Sequence, residues 1–423
     1  MEELLHYTWK HKIFPLKALR TTAGQEVEII DTGQSNPNAG PDFFNAKVKI
    51  DGTLWVGNVE IHQHASDWFT HGHDRDAAYD SVILHVVSDS DCNVNRTNGE
   101  EIPQLCLECP DSIKANYDIL HAKDKDIPCA DILKTLPKIK IHSWLSALRE
   151  ERLIEKSHII RERVDQYNRD WEHAFFVTLS RNFGFGLNGD TFEQWAKKIP
   201  LDVIGKHRDD LFQIEAIFFG VAGLLSKTFD DEYYCRMQKE YAYQQHMFGL
   251  NELPITRWKL LRTRPYNFPY IRIAQLANLY HSNEALLSKV IEAENITTLC
   301  DILRCQTSDY WKSHYIFGKE SKYNEKIISD KSLHLVILNT VIPFLYAYGT
   351  YKDDTRLIER AESLLDELKP EQNYIIRQWE AAGIKLESAA DSQALIQLKQ
   401  AYCECKKCLD CRFGYEFMCG RRK

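Results

Sequence analysis

Gly40-Pro41-Asp42-Phe43-Phe44-Asn45-Ala46-Lys47-Val48-Lys49-Ile50-Asp51-Gly52-Thr53-Leu54-Trp55-Val56-Gly57-Asn58-Val59-Glu60-Ile61-His62 is the stretch whose reading decides the fold. Phe43–Ile50 reads as a strand, Asp51-Gly52 as a hairpin turn and Leu54–His62 as the returning strand. If Asp51-Gly52-Thr53 forms a three-residue loop, Ile50 pairs with Leu54 and Asp42 falls opposite His62. Glu60 then lies opposite Phe44, with all these side chains on one face. Directly opposed Cβ atoms are about 4.5–5.5 Å apart and diagonal ones about 7–8 Å. Two carboxylates and an imidazole can then converge on one hard cation, leaving positions open for water and a phosphate oxygen. A two-residue loop would turn Asp42 to the other face.

Working outward, Leu4 to Leu19 has loose helical spacing and Val27–Asp31 alternates like a strand. Downstream, His73–Ser81 reads as a short helix and Val82–Val87 as a buried strand. Helix, strand, hairpin, helix and strand make a small α+β domain over 1–125. From Pro137 the apolar period becomes that of a helix. Ile141–Asn182, Leu211–Leu225, Asp231–Met247, Ile271–Ala293 and Asp354–Leu368 all read as helices. The expected organisation is a mixed-sheet α+β domain with flanking helices, a linker over 126–140 holding Pro128 and Pro137, a larger all-α domain over 141–400 and a cysteine-rich tail over 401–423.

With 423 residues, 44% hydrophobic and 27% charged, the chain is excluded from the disordered and collagenous classes. The formal net charge of −8 argues against a histone-like nucleic-acid coat. Residues 1–125 carry 11 basic and 20 acidic side chains, a balance of −9, whereas the rest carries 42 and 41, a balance of +1. Met1-Glu2-Glu3-Leu4-Leu5-His6 lacks the basic and apolar segments of a secretory signal, so a cytoplasmic protein with reduced cysteines and no export partner is expected. Ile214–Leu225 is short for a membrane span, and Leu333–Gly349 is interrupted by His334, Asn339 and Pro343. Both read as buried helices, so no membrane partner is expected.

The hairpin and its surrounding element order resemble the PD-(D/E)XK phosphodiesterases, whose core is restriction-endonuclease-like. The resemblance implies that Asp42 and Glu60 bind Mg²⁺ or Mn²⁺, and that His62 stands where the family has a water-positioning Lys. An imidazole there implies altered, pH-sensitive or lost activity. Arg75, Asp76 and Tyr79 resemble the polar helix after the hairpin in RecB-like members, and Glu3 would be the acid of the first helix. Gly40-Pro41-Asp42-Phe43, Glu60-Ile61-His62, Asp67-Trp68, Val82–Val87, Arg264-Pro265 and Arg272-Ile273-Ala274-Gln275-Leu276-Ala277 also resemble a bacterial family of the domain-of-unknown-function type, over most of the chain.

Three further groups carry chemistry. His62, His64, His71, His73 and His85 fall within a short span, with Asp67 and Asp74 among them, and suggest imidazole ligation of Zn²⁺ or Mn²⁺. Cys403, Cys405, Cys408, Cys411 and Cys419 lie in the last 21 residues, where two-residue gaps suit a tetrahedral metal. Zn²⁺ is expected there, with an iron–sulfur cluster as the alternative. Finally, Leu253–Asn283 contains no acid and carries Arg257, Lys259, Arg262, Arg264 and Arg272 among Trp258, Tyr266, Phe268 and Tyr270. That composition suits phosphates and unpaired bases of DNA or RNA. The expected function is metal-dependent phosphodiester hydrolysis on nucleic acid. The alternatives are a non-catalytic nucleic-acid-binding or scaffold protein and a histidine–metal hydrolase.

Overall fold

The computed structural model describes residues 2–122 and 126–420. The chain divides into two units, Met1–Thr135 with Ala401–Lys423, and Leu136–Gln400.

The first unit is built on a mixed sheet. Its strands are β1 (Leu19–Arg20), β2 (Glu26–Asp31), β3 (Gln34–Ser35), β4 (Phe43–Ile50), β5 (Thr53–His64), β6 (Val82–Asp89) and β7 (Gln104–Cys106). The order is β1-β2-β4-β5-β6-β7, with β3 pairing to β4. Pairs up to β5 are antiparallel, and β5–β6 and β6–β7 are parallel. Helices α1 (Glu2–Lys10), α2 (Asp67–Thr70), α3 (Asp111–His121) and α4 (Ala130–Leu133) accompany the sheet.

Helix α1 starts with Glu2 and Glu3 and ends with Lys10, charges that suit its macrodipole. Leu5 and Trp9, one turn apart, are buried with Val48, Ile50, Val59, Ile61, Leu84 and Val86 on one face of the sheet. Fully burying such side chains stabilises by about 1.5–3 kcal/mol each. Trp9 Nε1 also donates to Thr32 O at 3.0 Å. The helix ends well before Leu19 because Lys12 adopts a left-handed φ of 50°. Likewise, His73–Ser81 forms two single 3-10 turns, His73–Arg75 and Ala77–Tyr79, rather than one helix. Asp76 breaks it by taking an extended conformation and capping Ala78 N.

The hairpin register differs from the three-residue loop. Asp51 and Gly52 have φ of 47° and 78°, the paired positive values of a tight two-residue turn, and Ile50 pairs with Thr53. By itself that register would send Asp42 to the wrong face. A β-bulge between Phe43 and Ala46 reverses the error: Ala46 pairs with Gly57, but Phe43 pairs with Val59. Asn45 takes the left-handed φ of 57°, and its N–H donates to Asn58 Oδ1 at 3.3 Å. The extra residue inverts the alternation, so Phe43 and Ala46 both face the core and Asp42 comes beside Glu60, not His62. The neighbouring chain must approach closely here. A Cβ on Gly33 would lie 2.5 Å from Phe44 O.

The second unit is mostly helical, with one short hairpin, His314–Ile316 with Lys319–Glu320. The span Ile141–Asn182 is two helices, Lys138–Gln166 and Trp171–Phe183. Left-handed Asn168 and Arg169 break it, and Asp170 caps the second helix by accepting from His173 N. Phe175, Phe176, Phe192, Trp195, Phe218 and Phe219 lie in its core. The helix Asp330–Lys352 is long and apolar enough to cross a membrane by composition, yet 72% of its apolar window is buried within the protein.

Candidate metal centre

The face of the sheet opposite α1 carries Glu60 and His62 on β5 and His85 on β6. Strand alternation places them there, because their neighbours Val59, Ile61, Leu84 and Val86 face the other core. In the parallel register Glu60 lies beside His85. After β5 the chain turns through α2, buries Trp68 against Val82 and Val87, and returns over the strands with His71 and His73. Gly72, at a left-handed φ of 77°, makes the turn between the two histidines.

The ring nitrogens of His62, His71 and His73 all lie within 4.8 Å of one another. His62 Nε2 is 3.1 Å from His71 Nδ1 and 3.5 Å from Glu60 Oε1. His73 Nε2 is 3.2 Å from the same carboxylate oxygen. Ligands about 2.0–2.1 Å from a tetrahedral Zn²⁺ stand about 3.3–3.4 Å apart, so this spacing fits a first-row metal. Glu60, His62 and His73 are buried and His71 is exposed, which gives a centre with a sheltered floor and an open rim.

Surrounding groups hold these side chains in place. His62 Nδ1 contacts His85 Nε2 at 2.9 Å. The Tyr79 ring stacks on His73 with centroids 3.7 Å apart, and Trp68 lies 5.3 Å from both His73 and His85. Asp42 and Glu60 are interlocked through the backbone. Asp42 N donates to Glu60 Oε2 at 3.1 Å, and Ile61 N donates to Asp42 Oδ2 at 2.9 Å. His6 of α1 reaches Asp42 Oδ2 at 3.5 Å.

Burial, followed by neighbouring imidazoles, pushes the His62 pKa down to about 2 and that of His85 to about 3. Both are therefore neutral at pH 7, the state in which imidazole is a metal ligand. Burial raises the Asp42 and Glu60 carboxyls, against the pull of His6 on Asp42 and of a hydrogen bond from His73 on Glu60. A cation would relieve the cost of ionising two buried acids side by side.

Several expected residues lie elsewhere. Glu3 meets the Tyr117 hydroxyl at 3.2 Å, and the side chain of α1 that reaches Asp42 is His6. His64 is exposed and pairs with Asp89, while Asp67 accepts from His64 N and serves the turn. The Arg75 side chain is 88% exposed and paired with Asp74. Tyr79 does join the group, and burial followed by Glu60 and Asp42 raises its hydroxyl pKa. Sequence reasoning missed His6 and the supporting role of His85. Only the position of His6 beside the apolar Leu5–Trp9 stripe hinted at the first.

In the helical unit Arg257, Lys259, Arg262 and Arg264 are exposed. Arg272 is not a surface cation, contrary to expectation. It is 3% exposed, bonded to Gln275, Asn267 and Ser332, and stacked over Phe185. The aromatics divide similarly. Trp258 is buried and donates to Ala222 O, Tyr270 packs among Phe219, Trp311 and Phe317, and Tyr266 is exposed.

Fold and site together define an α+β domain with an imidazole–carboxylate centre in a chain that also carries a helical unit. The chain belongs to the family described as Protein of unknown function (DUF2851), which matches residues 2–374. No curated protein and no solved structure matches it.

Proposed function

We propose that this protein is a metal-dependent phosphodiesterase acting on nucleic acid from the centre on β5. The observation that carries this reading is the position of one Glu60 oxygen, 3.5 Å from His62 Nε2 and 3.2 Å from His73 Nε2, with Asp42 interlocked beside it. Glu60, His62, His71 and His73 would hold the ion. Three imidazoles suit Zn²⁺ or Mn²⁺ better than Mg²⁺, which prefers oxygen and water. The ion would acidify a bound water, and the Asp42 carboxylate would accept its proton. His85 and Tyr79 would position His62 and His73.

Support for a phosphodiester substrate comes from the strand order. An acid heads one antiparallel strand, a Glu-x-His trio occupies the next, and a parallel strand follows, as in a restriction-endonuclease-like core. The exposed Arg257, Lys259, Arg262 and Arg264 support nucleic acid as the ligand. A reducing cytoplasm suits a chain with twelve cysteines.

The test incubates the full chain with single- and double-stranded DNA and RNA under Mg²⁺, Mn²⁺, Zn²⁺ or EDTA, beside Glu60→Ala and His73→Ala. Cleavage dependent on Mn²⁺ or Zn²⁺ and at least 100-fold weaker in both variants is expected. Absence of cleavage with every metal, or undiminished cleavage in the variants, would overturn the reading. Hydrolysis confined to small phosphate or carboxylic esters would point instead to a histidine–metal hydrolase of small substrates.

A further inference from the structure

Among the described residues two arginines are buried, and their surroundings differ. Arg163 is paired with the Glu193 carboxylate at 3.0 Å. Arg272, on the helix Pro269–Ser282, has only neutral partners. Its guanidinium donates to Gln275 Oε1 at 2.7 Å, Asn267 Oδ1 at 2.6 Å and Ser332 Oγ at 3.4 Å. Its Nε has no hydrogen-bond partner among the described residues. Burial lowers its pKa to about 10, so it remains a cation at pH 7. A buried charge is costly unless an opposite charge accompanies it, and here the protein supplies none.

Arg272 lines a cavity of about 580 Å³, within the range of small-molecule sites. Two more cations line it, Arg264 and Lys331, both exposed and without an ion pair among the described residues. No acid among the described residues joins them in the lining. Asp330, next to Lys331, is paired with Arg304 at 3.1 Å. Pro265 opens the 3-10 turn Pro265–Asn267, which brings Asn267 to Arg272. On the other side Ser329 caps the helix Asp330–Val336 by accepting from Ser332 N at 3.3 Å. The remaining surface is aromatic and aliphatic. Tyr266 offers an exposed ring, met by Tyr315 edge-on with centroids 5.7 Å apart, and Ile327 and Leu335 lie nearby in the lining.

We infer that this cavity binds a phosphate monoester carrying a flat ring, such as a nucleoside 5′-monophosphate, with the phosphate among Arg264, Arg272 and Lys331 and the ring on Tyr266. A phosphate monoester carries a charge of about −1.5 to −2 at pH 7, so three uncompensated cations suit it better than a carboxylate. Guanidinium forks match phosphate oxygens, and an aromatic face accepts any base by stacking. The same group ends a 5′-phosphorylated strand, so a free nucleotide and a strand end are two sources of one chemistry. The inference stands on the helical unit alone and does not require the centre on β5 to cleave anything.

The test uses the full chain in EDTA, which keeps the result independent of the centre on β5. Calorimetry measures binding of inorganic phosphate, adenosine, adenosine 5′-monophosphate and short single strands bearing a 5′-phosphate or a 5′-hydroxyl. One-to-one binding of the monophosphate is expected, about tenfold tighter than that of adenosine and about tenfold weaker in Lys331→Ala and in Arg264→Ala. Tyr266→Ala should weaken the monophosphate and leave inorganic phosphate unchanged, and Arg257→Ala, outside the cavity, should alter neither. The monophosphate should also raise the melting temperature of the wild type and of Arg257→Ala, but not that of Lys331→Ala/Arg264→Ala. Both orders of preference between the phosphorylated strand and the mononucleotide uphold the site, the first naming a strand end as the source and the second a free nucleotide. No saturable binding, equal affinity for adenosine and its monophosphate, or binding indifferent to Lys331→Ala and Arg264→Ala would each overturn the inference.

Discussion

Deleting Asn45 removes the bulge beside the centre without touching any proposed ligand. Closing the bulge lets regular pairing run on from Ala46 with Gly57. Phe44 then alone falls opposite Asn58, and Phe43, which is 1% exposed, keeps Val59 as its partner and stays in the core. Asp42 therefore stays beside Glu60. The hydrogen bonds from Asp42 N to Glu60 and from Ile61 N to Asp42, at 3.1 and 2.9 Å, are both kept. Hydrogen bonds to charged groups contribute about 1.5–3 kcal/mol each, so the low end for the pair is about 3 kcal/mol. Urea unfolding should show no loss of that size. Nuclease activity should persist in the deletion variant, and adding Asp42→Ala to it should cost as much as in the wild type, because the carboxylate has not moved. Asn45→Gly, which keeps the left-handed backbone without strain, should stay within about 0.5 kcal/mol of wild type. Asn45→Val should lose about 1–2 kcal/mol. A deletion variant as inactive as Asp42→Ala, or an Asn45→Val protein as stable as Asn45→Gly, would refute the reasoning.

Three other outcomes are expected. In metal-stripped protein His62 and His85 bind protons in the unfolded chain near pH 6.5 but in the native state only near about 2 and 3. Their contribution is thus full above about pH 6.5 and lost as pH falls toward 3, and the raised Asp42 and Glu60 offset part of it. Chemical denaturation at pH 7 and pH 5 should differ by about 2 kcal/mol or more, with pH 7 the more stable. Glu215 is fully buried, takes hydrogen bonds from Tyr233 and Ser308, and has its pKa pushed up to about 7 by burial. Its ionisation costs stability as pH rises from about 4.5 through 7, so Glu215→Gln should raise stability by about 2 kcal/mol at pH 8 and by little at pH 4, read from melting curves. Arg264→Ala should weaken DNA or RNA binding and reduce its salt dependence, whereas Arg272→Ala should mainly lower the melting temperature.

The strands of the central hairpin and of β6 are legible in the sequence because alternation, an Asp-Gly turn and a run of β-branched residues coincide there. The register is not. Turn length and bulge each shift it by one residue in the same direction, and two such shifts restore the face, so Asp42 meets Glu60 rather than His62 even though the loop is shorter than expected. Only Asn45, a residue that tolerates left-handed backbone, marks the bulge, and a single asparagine carries little signal. His71 and His73 are conspicuous as a pair. Their return over β5 depends on the burial of Trp68, which is a tertiary fact. Arg272 sits among other cations and reads as solvent-facing, yet the helix Pro269–Ser282 is buried on nearly every side. The long helical spans were overextended where left-handed residues, Asn168 and Arg169 in one case and Ala285 in the other, interrupt an apolar period that continues beyond them.

The chain of imidazoles from His71 through His62 to His85 has one more consequence. A neutral imidazole carries a single ring hydrogen, so contacts of 3.1 and 2.9 Å on the two nitrogens of His62 make its two neighbours answer to one tautomer. With a metal on Nε2, the hydrogen of His62 sits on Nδ1 and points at His85 Nε2. His85 must then carry its own hydrogen on Nδ1, which is buried with no hydrogen-bond partner among the described residues. Without metal the whole row can reverse, leaving only a bare lone pair at that spot, which is the cheaper state to bury. Occupancy of the centre is thereby recorded on a residue that never touches the ion. Nitrogen chemical shifts of His85 would report metal binding from inside the sheet.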